Sequence, residues 1–170
     1  MKKISGVLFD FDGVLSSLDV RLGWPFYQAL KKIKPNITKQ EILLSLNDVM
    51  KMYLNGEKRD FFYVPKMIFK IAKTLHLGYL QMFRFIIILA ILVKKNNNNI
   101  FPEEHADDVL KQITTKYRTA LITHAEREVI QEAHKKFVNL KDLDLIITQQ
   151  DIDYAKPHPQ GIKKAIQQLG

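Results

Sequence analysis

Two aspartates one residue apart, Asp10 and Asp12, close a short apolar run from Val7 to Phe11 and are followed directly by Gly13. Alternation along an extended chain puts the two carboxylates on one side and turns Phe11 the other way, into packing. Adjacent carboxylates repel unless a cation or a shared proton relieves them, so a divalent metal is their natural companion. Oxygen donors in a chain without cysteine favour Mg²⁺ over softer ions, which makes Asp10 and Asp12 the candidate metal ligands. Gly13 lets the backbone turn sharply and present amides to an anion such as phosphate. A plain β-turn also accounts for Asp-x-Asp-Gly taken alone. A calcium loop does not: counting from Asp10, Leu15 stands where that loop needs glycine and Arg21 where it needs a bidentate glutamate.

Such groups do chemistry only if elements bring them together with others. Val7 to Phe11, Thr119 to Thr123 and Leu143 to Thr148 read as three buried strands. A helix opened by Pro102, with Val109, Leu110 and Ile113 on one face, precedes the second strand. Another, marked by Val129, Ile130, Ala133 and Phe137, separates the second from the third. A last helix follows Pro159, with Ile162, Ala165, Ile166 and Leu169 inward. Strands alternating with such helices predict βαβ units on a parallel sheet, an α/β fold.

In an open parallel sheet, ligands bind beyond the carboxyl ends of the strands. Asp10 and Asp12 close strand one there, Thr123 closes strand two, and Lys156 follows strand three. Each of the last two has an ordinary reading as well, Thr123 as a β-former or cap and Lys156 as a surface lysine before proline. His124 either caps the following helix, the reading we favour, or touches substrate. His158, Asp151 and Asp153 read as loop surface.

About ninety residues separate the first strand from the helix at Pro102, too many for a structureless loop. They predict helices: one over Pro25 to Ile33, and one from the capping-box pattern Thr38-x-x-Glu41 with Ile42, Leu46, Val49, Met50 and Tyr53 on a stripe. A third opens near Pro65 and a fourth runs to about Val93, before a solvated linker from Lys94 to Asn99. The domain expectation is therefore an α/β core from 1–17 and 100–170 with a helical subdomain, 18–99, inserted in it. The apolar stretch Phe85 to Val93 is too short to span a bilayer, which takes about twenty apolar residues. We read it as a buried helix of the subdomain, with interfacial or partner contact by 82–93 as the alternative.

Composition narrows the class. With 46% hydrophobic and 26% charged residues, the 170-residue chain has the balance of a soluble globular protein. The absence of cysteine excludes disulfides and thiol chemistry and fits a cytoplasmic location, as does the lack of a signal-peptide core. A net charge of +8 favours an anionic partner, but the lysines are scattered and form no dense run, so nucleic acid is not expected. There is no G-x-x-x-x-G-K-[ST] loop and no G-x-G-x-x-G.

The run VLFDFDGVL resembles motif I of the haloacid dehalogenase (HAD) superfamily, LITHAE resembles motif II ending in Thr123, and AKPHPQGI resembles motif III with Lys156 before proline. The resemblance covers the whole chain, with the insertion where that family carries a helical C1-type cap. It implies a Rossmann-like three-layer core and a Mg²⁺-dependent hydrolase of a small phosphorylated metabolite. On this resemblance Asp10 is the nucleophile that becomes an aspartyl-phosphate, and Asp12 is the general acid and base. Thr123 and Lys156 hold the transferring phosphoryl group, with Gly13 and His124 beside it. A phosphomutase on the same intermediate, or an inactive interaction module presenting the apolar cap, are the alternatives.

Two features depart from the family. Its fourth motif, a glycine and acids that complete the metal site, is not found before Gly170, so a core truncated at its C-terminus, as in a fragment, is expected. An incompletely covered last helix then predicts exposed apolar surface. After motif I, Ser17 occupies the place of a common family acid, with Asp19 displaced by two, so substrate identity does not transfer.

Overall fold

The computed structural model of the chain describes residues 4–54, 63–96, 98–154 and 156–170. Three parallel strands, β1 (Gly6–Phe9), β2 (Arg118–Ile122) and β3 (Leu145–Ile147), form one sheet in that order. β2 is central: Val7 pairs with Thr119 and Phe9 with Leu121 on one side, Ala120 with Leu145 and Ile122 with Ile147 on the other. Thr119 to Ile122 are at most 4% exposed, which is why Ala120, Leu121 and Ile122 are apolar in succession and the strand does not alternate.

Four helices follow β1: α1 (Trp24–Ile33), α2 (Lys39–Leu54), α3 (Tyr63–Thr74) and α4 (Tyr79–Asn96). Then α5 (Ala106–Thr114) leads to β2, α6 (Arg127–Ala133) joins β2 to β3, and α7 (Gln160–Leu169) ends the chain. The expected α/β fold with a parallel sheet is present.

The described residues of Met1–Val20, Asn98–Asp153 and Pro159–Gly170 form one compact unit, and Arg21–Asn97 with Tyr154–His158 form a second. In the first, the two faces of the sheet bury separate clusters. Leu121 packs with Phe11, Leu110, Val129, Ile130, Ala133 and Phe137, whereas Ala120 and Ile122 pack with Ile147 and Ala165 of α7. In the second, Leu30, Ile33, Ile71, Leu75 and Phe85 are the centre, with Phe26 edge-on to Phe85 at 5.8 Å between ring centroids. Here α1 packs on α4 and α2 on α3.

The predicted capping box is formed. Glu41 N–H donates to Thr38 Oγ1 at 3.2 Å, and Thr38 N–H donates to Glu41 Oε2 at 2.8 Å. The Lys34 ammonium, then the Thr38 amide and hydroxyl, hold the Glu41 carboxyl down at about 2.

Several element expectations need correction. β1 ends at Phe9, before Asp10 and Phe11, and β3 is limited to Leu145–Ile147. Pro102 does not open a helix. Ser17 N–H donates to the Phe101 carbonyl and Glu103 N–H to the Leu15 carbonyl, so 101–103 are drawn into a short antiparallel bridge at Ser16 and Pro102, and α5 starts at Ala106. On α5 the inner residues are Ala106 and Leu110, with Ile113 half-buried and Val109 43% exposed. On α7 they are Gly161 and Ala165; Leu169 is half-buried, while Ile162 and Ile166 are exposed. On α2 Ile42 is half-buried and Leu46 exposed, and the side chains of Val49, Met50 and Tyr53 lie outside the described residues. α4 runs on to Asn96, into the first half of the expected linker, where Asn96 Nδ2 donates to the Leu92 carbonyl one turn back at 2.8 Å. Nor is α4 uniformly buried, since only Phe85 is fully inside.

Candidate active site

Asp10 is the first residue beyond β1. Its Oδ1 accepts the amide of Phe11 at 2.8 Å, which takes Phe11 out of the sheet ladder and accounts for the early end of the strand. Phe11 is completely buried, its ring 6.1 Å from that of Phe137. Its carbonyl then accepts the amides of Leu15 at 3.0 Å and Ser16 at 2.9 Å, closing a turn over 11–16. Phe11 thus anchors the turn from inside while Asp10 and Asp12, on either side of it, stay half-buried.

Gly13 has φ +79°, a conformation that side-chain-bearing residues enter at a cost, so glycine is the residue this turn requires. Its own amide does not point to a ligand: it donates to the Ser16 carbonyl at 2.8 Å. Gly13 shapes the turn that carries Asp12. The far end of the turn is held by the return segment, where Ser16, fully buried, donates its hydroxyl to the Phe101 carbonyl at 3.3 Å. Nothing in residue type distinguished Ser16 from Ser17; the bridge to Pro102 and full burial set Ser16 apart. Ser17 is half-buried with its amide on that same carbonyl, and Asp19 is exposed at the start of a π-helical turn, Asp19–Gly23.

Thr123 is the first residue beyond β2 and is completely buried. Its N–H donates to the Ile147 carbonyl at 2.9 Å, and its Oγ1 accepts the Ala125 amide at 2.9 Å, so both backbone and hydroxyl are fixed. Since Phe9 pairs with Leu121 on adjacent parallel strands, Asp10 leaves the sheet level with Ile122, one residue before Thr123, and both lie at its carboxyl edge. His124 follows, half-buried; Glu126, not His124, holds the N-cap position of α6, and the Arg127 amide there donates to Gln150 Oε1 at 3.2 Å.

Beyond β3, Thr148 and Asp151 form a capping box of their own, with Thr148 N–H and Oγ1–H donating to Asp151 Oδ2 at 2.8 and 2.7 Å. Burial pushes the Asp151 carboxyl up, but the Thr148 amide and hydroxyl with the Arg127 and Lys164 charges outweigh it and hold it below the usual range. Asp151 is a structural carboxylate. Asp153 is exposed and accepts Gln160 Nε2 at 3.1 Å, and His158 stacks on Tyr154 with ring centroids 4.3 Å apart. Lys156, half-buried before a cis Pro157, belongs with Tyr154–His158 to the helical unit. The α/β unit places Asp10, Asp12 and Gly13 after β1 and Thr123 and His124 after β2, at the carboxyl edge of the sheet, and Lys156 rests on its motif.

Among the described residues no three His, Asp or Glu side chains gather in one place. Mg²⁺ does not require such a cage, because it retains waters and binds through one or two carboxylates together with substrate phosphate. The hard oxygen donors of Asp10 and Asp12 at a half-buried strand end fit that ion.

A family model for haloacid dehalogenase-like hydrolases matches residues 7–170. Pyrophosphatase PpaX of Bacillus cereus (strain AH820) is 24% identical over 179 residues, spanning 99% of this chain and 70% of that protein. Among solved structures, a predicted phosphoglycolate phosphatase from Haemophilus somnus 129PT aligns over 100% of this chain and 73% of its own, with a TM-score of 0.68 and 18% identity. The HAD-hydrolase YfnB from Bacillus subtilis, whose structure is bound to magnesium, aligns over 98% of this chain and 74% of its own, with a TM-score of 0.66 and 10% identity. The structural likenesses carry the fold. With a family match that runs through β1, Thr123, Lys156 and α7, they leave one assignment: the chain belongs to the haloacid dehalogenase-like hydrolase family.

Proposed function

We propose that the protein is a Mg²⁺-dependent phosphomonoester hydrolase that acts on a small phosphorylated metabolite through an aspartyl-phosphate on Asp10. The observation that supports this most is the exit of Asp10 and Thr123 from adjacent parallel strands at the same, carboxyl edge of the sheet, with Asp12 two residues on. A carboxylate oxygen of Asp10 attacks phosphorus, and the bond from phosphorus to the ester oxygen breaks. Asp12 gives its proton to the departing oxygen and then takes one from a water, which attacks the aspartyl-phosphate. Cleavage of the phosphorus–Asp10 bond restores the carboxylate and releases inorganic phosphate.

Thr123, its hydroxyl oxygen fixed by the Ala125 amide, directs its O–H to a phosphoryl oxygen. Lys156 offsets the charge of the nucleophile and the transferring group, a role assigned by its motif. His124 lies beside the phosphate, and Gly13 gives the turn its shape. Asp10 through its carboxylate and Asp12 through its backbone carbonyl would hold Mg²⁺, which would supply neutralisation of phosphoryl charge. The α/β unit is then the Rossmann-like core and the helical segment between β1 and α5 the C1-type cap that selects substrate.

Phosphate release from p-nitrophenyl phosphate, hexose phosphates, phosphoglycolate and, given the PpaX relative, inorganic pyrophosphate tests the reading. Activity should require Mg²⁺ and disappear in Asp10→Asn with an unchanged circular dichroism spectrum. Metal-independent turnover or full activity in Asp10→Asn would overturn it. Isomerisation of a hexose phosphate without phosphate release would make the protein a mutase.

A further inference from the structure

Between Asp60 and Glu103 the chain contains no acidic residue, while Lys66, Lys70, Lys73, Arg84, Lys94 and Lys95 give this stretch a charge of +6. α3 and α4 lie within it. α4 turns Phe85 into the core of the helical unit, with Met82, Ile86, Leu89 and Leu92 packed around it. Its outer side is also apolar. Leu80 is 73% exposed, Phe83 61%, Ile87 43% and Ile91 61%. Their spacing of three and four residues sets them in one line along the helix, and Arg84 and Lys94, both exposed, fall on the same line. A helix facing water ordinarily fills its outer line with polar side chains of both signs. This one carries large hydrophobics among cations.

The charge decides among possible occupants. A second copy docked on this line would bring two surfaces of the same sign together, which opposes association. Nucleic acid supplies phosphates, but gives a row of leucine and isoleucine side chains nothing to enter. Nor is α4 a spanning segment, since no helix among the described residues is long and apolar enough to cross a membrane. An anionic bilayer surface meets both halves of the pattern. Its headgroup phosphates pair with Arg84, Lys94 and Lys95, and its acyl boundary accepts Leu80, Phe83, Ile87 and Ile91. We propose that α4 lies in the interfacial plane of an anionic lipid bilayer, which makes the protein a peripheral membrane binder. This surface is independent of the chemistry assigned to Asp10.

Co-sedimentation of the full chain with vesicles of equal parts phosphatidylglycerol and phosphatidylcholine, and of phosphatidylcholine alone, tests this. Binding is expected on the anionic vesicles, weaker by about tenfold or more on the neutral ones and weakened by salt. The double variant Ile87→Glu/Ile91→Glu should lose about tenfold or more in partitioning with an unchanged circular dichroism spectrum. Val109→Glu, at an exposed apolar position of the α/β unit, should bind as the parent does. If the isoleucine variant does not fold, Arg84→Glu/Lys94→Glu should lower binding with the apolar line intact. Absence of binding to anionic vesicles, equal binding to neutral ones, or undiminished binding by both variants would overturn the proposal. So would self-association removed by the isoleucine variant in a chain that ignores vesicles, which would make a second copy the occupant.

Discussion

Asp10 is tied to the amide of the residue after it, and that residue is fully buried. The carboxylate proposed as the nucleophile is therefore positioned by its buried neighbour. Truncating Phe11 to alanine should cost about 3–5 kcal/mol of stability, measured by denaturant unfolding, because it opens a cavity against Phe137. Gly13→Ala meets no clash, as a Cβ there has nothing within 4 Å, but φ +79° is strained for alanine. The same measurement should show a loss of about 1–2 kcal/mol. Thr123→Val keeps the shape and leaves the buried Ala125 amide without its acceptor, a cost of about 1–3 kcal/mol. At this scale the residues themselves were legible, because Asp10, Asp12, Gly13 and Thr123 are a chemically unusual set near strand ends. Their hydrogen bonds were not. The use of Gly13 N–H by Ser16, and the place of His124 ahead of the cap position, depend on a turn and a helix start that residue types do not specify.

Helices and strands were legible where a buried face is long and repeated. β2 and α6 were read from unbroken or periodic apolar residues, and those residues are inside. Pro102 misled because proline at a helix start and proline in a short bridge present the same local signal; tertiary pairing with Ser16 chose the bridge. The outward Val109, Ile162 and Ile166 misled because apolar type alone does not say whether another surface covers it. α7 comes close to the sheet at Gly161, where a Cβ would meet Ile122 Cγ2 at 2.8 Å. Ile122 is itself buried, so Gly161→Ala should destabilise by about 1–3 kcal/mol in spite of its better helix propensity. At the opposite end of the sheet Asp144 accepts the Thr119 amide at 2.8 Å. That bond first, then the Thr119 hydroxyl and Arg118, hold its carboxyl below the ordinary 3.8. A pKa lower in the folded chain means that the stabilisation is complete above about pH 4 and is lost as pH falls through the folded value. Asp144→Ala should reduce stability at neutral pH and flatten its fall in acid, read from urea midpoints across pH 2 to 6.

The whole chain combines an α/β unit that gathers the acidic end of β1 with the end of β2, and a helical unit whose outer line is apolar and basic. Charge and composition pointed to an anionic partner without distinguishing phosphate ester from lipid headgroup, since both offer the same oxygens. Order along the chain did more: three motifs in sequence made the family legible where any one was ambiguous. Lys156 marks where that reading stops, because its motif assigns it to the phosphate while its segment belongs with the helical unit. The function proposed for the molecule turns on one covalent bond, between phosphorus and Asp10. An acid-quenched single turnover with a ³²P-labelled phosphomonoester and Mg²⁺, followed by peptide mapping, measures it directly. Hydroxylamine-labile label on the peptide containing Asp10, absent from Asp10→Asn, is the predicted result; label on another residue, or phosphate release by Asp10→Asn at the parent rate, would contradict it.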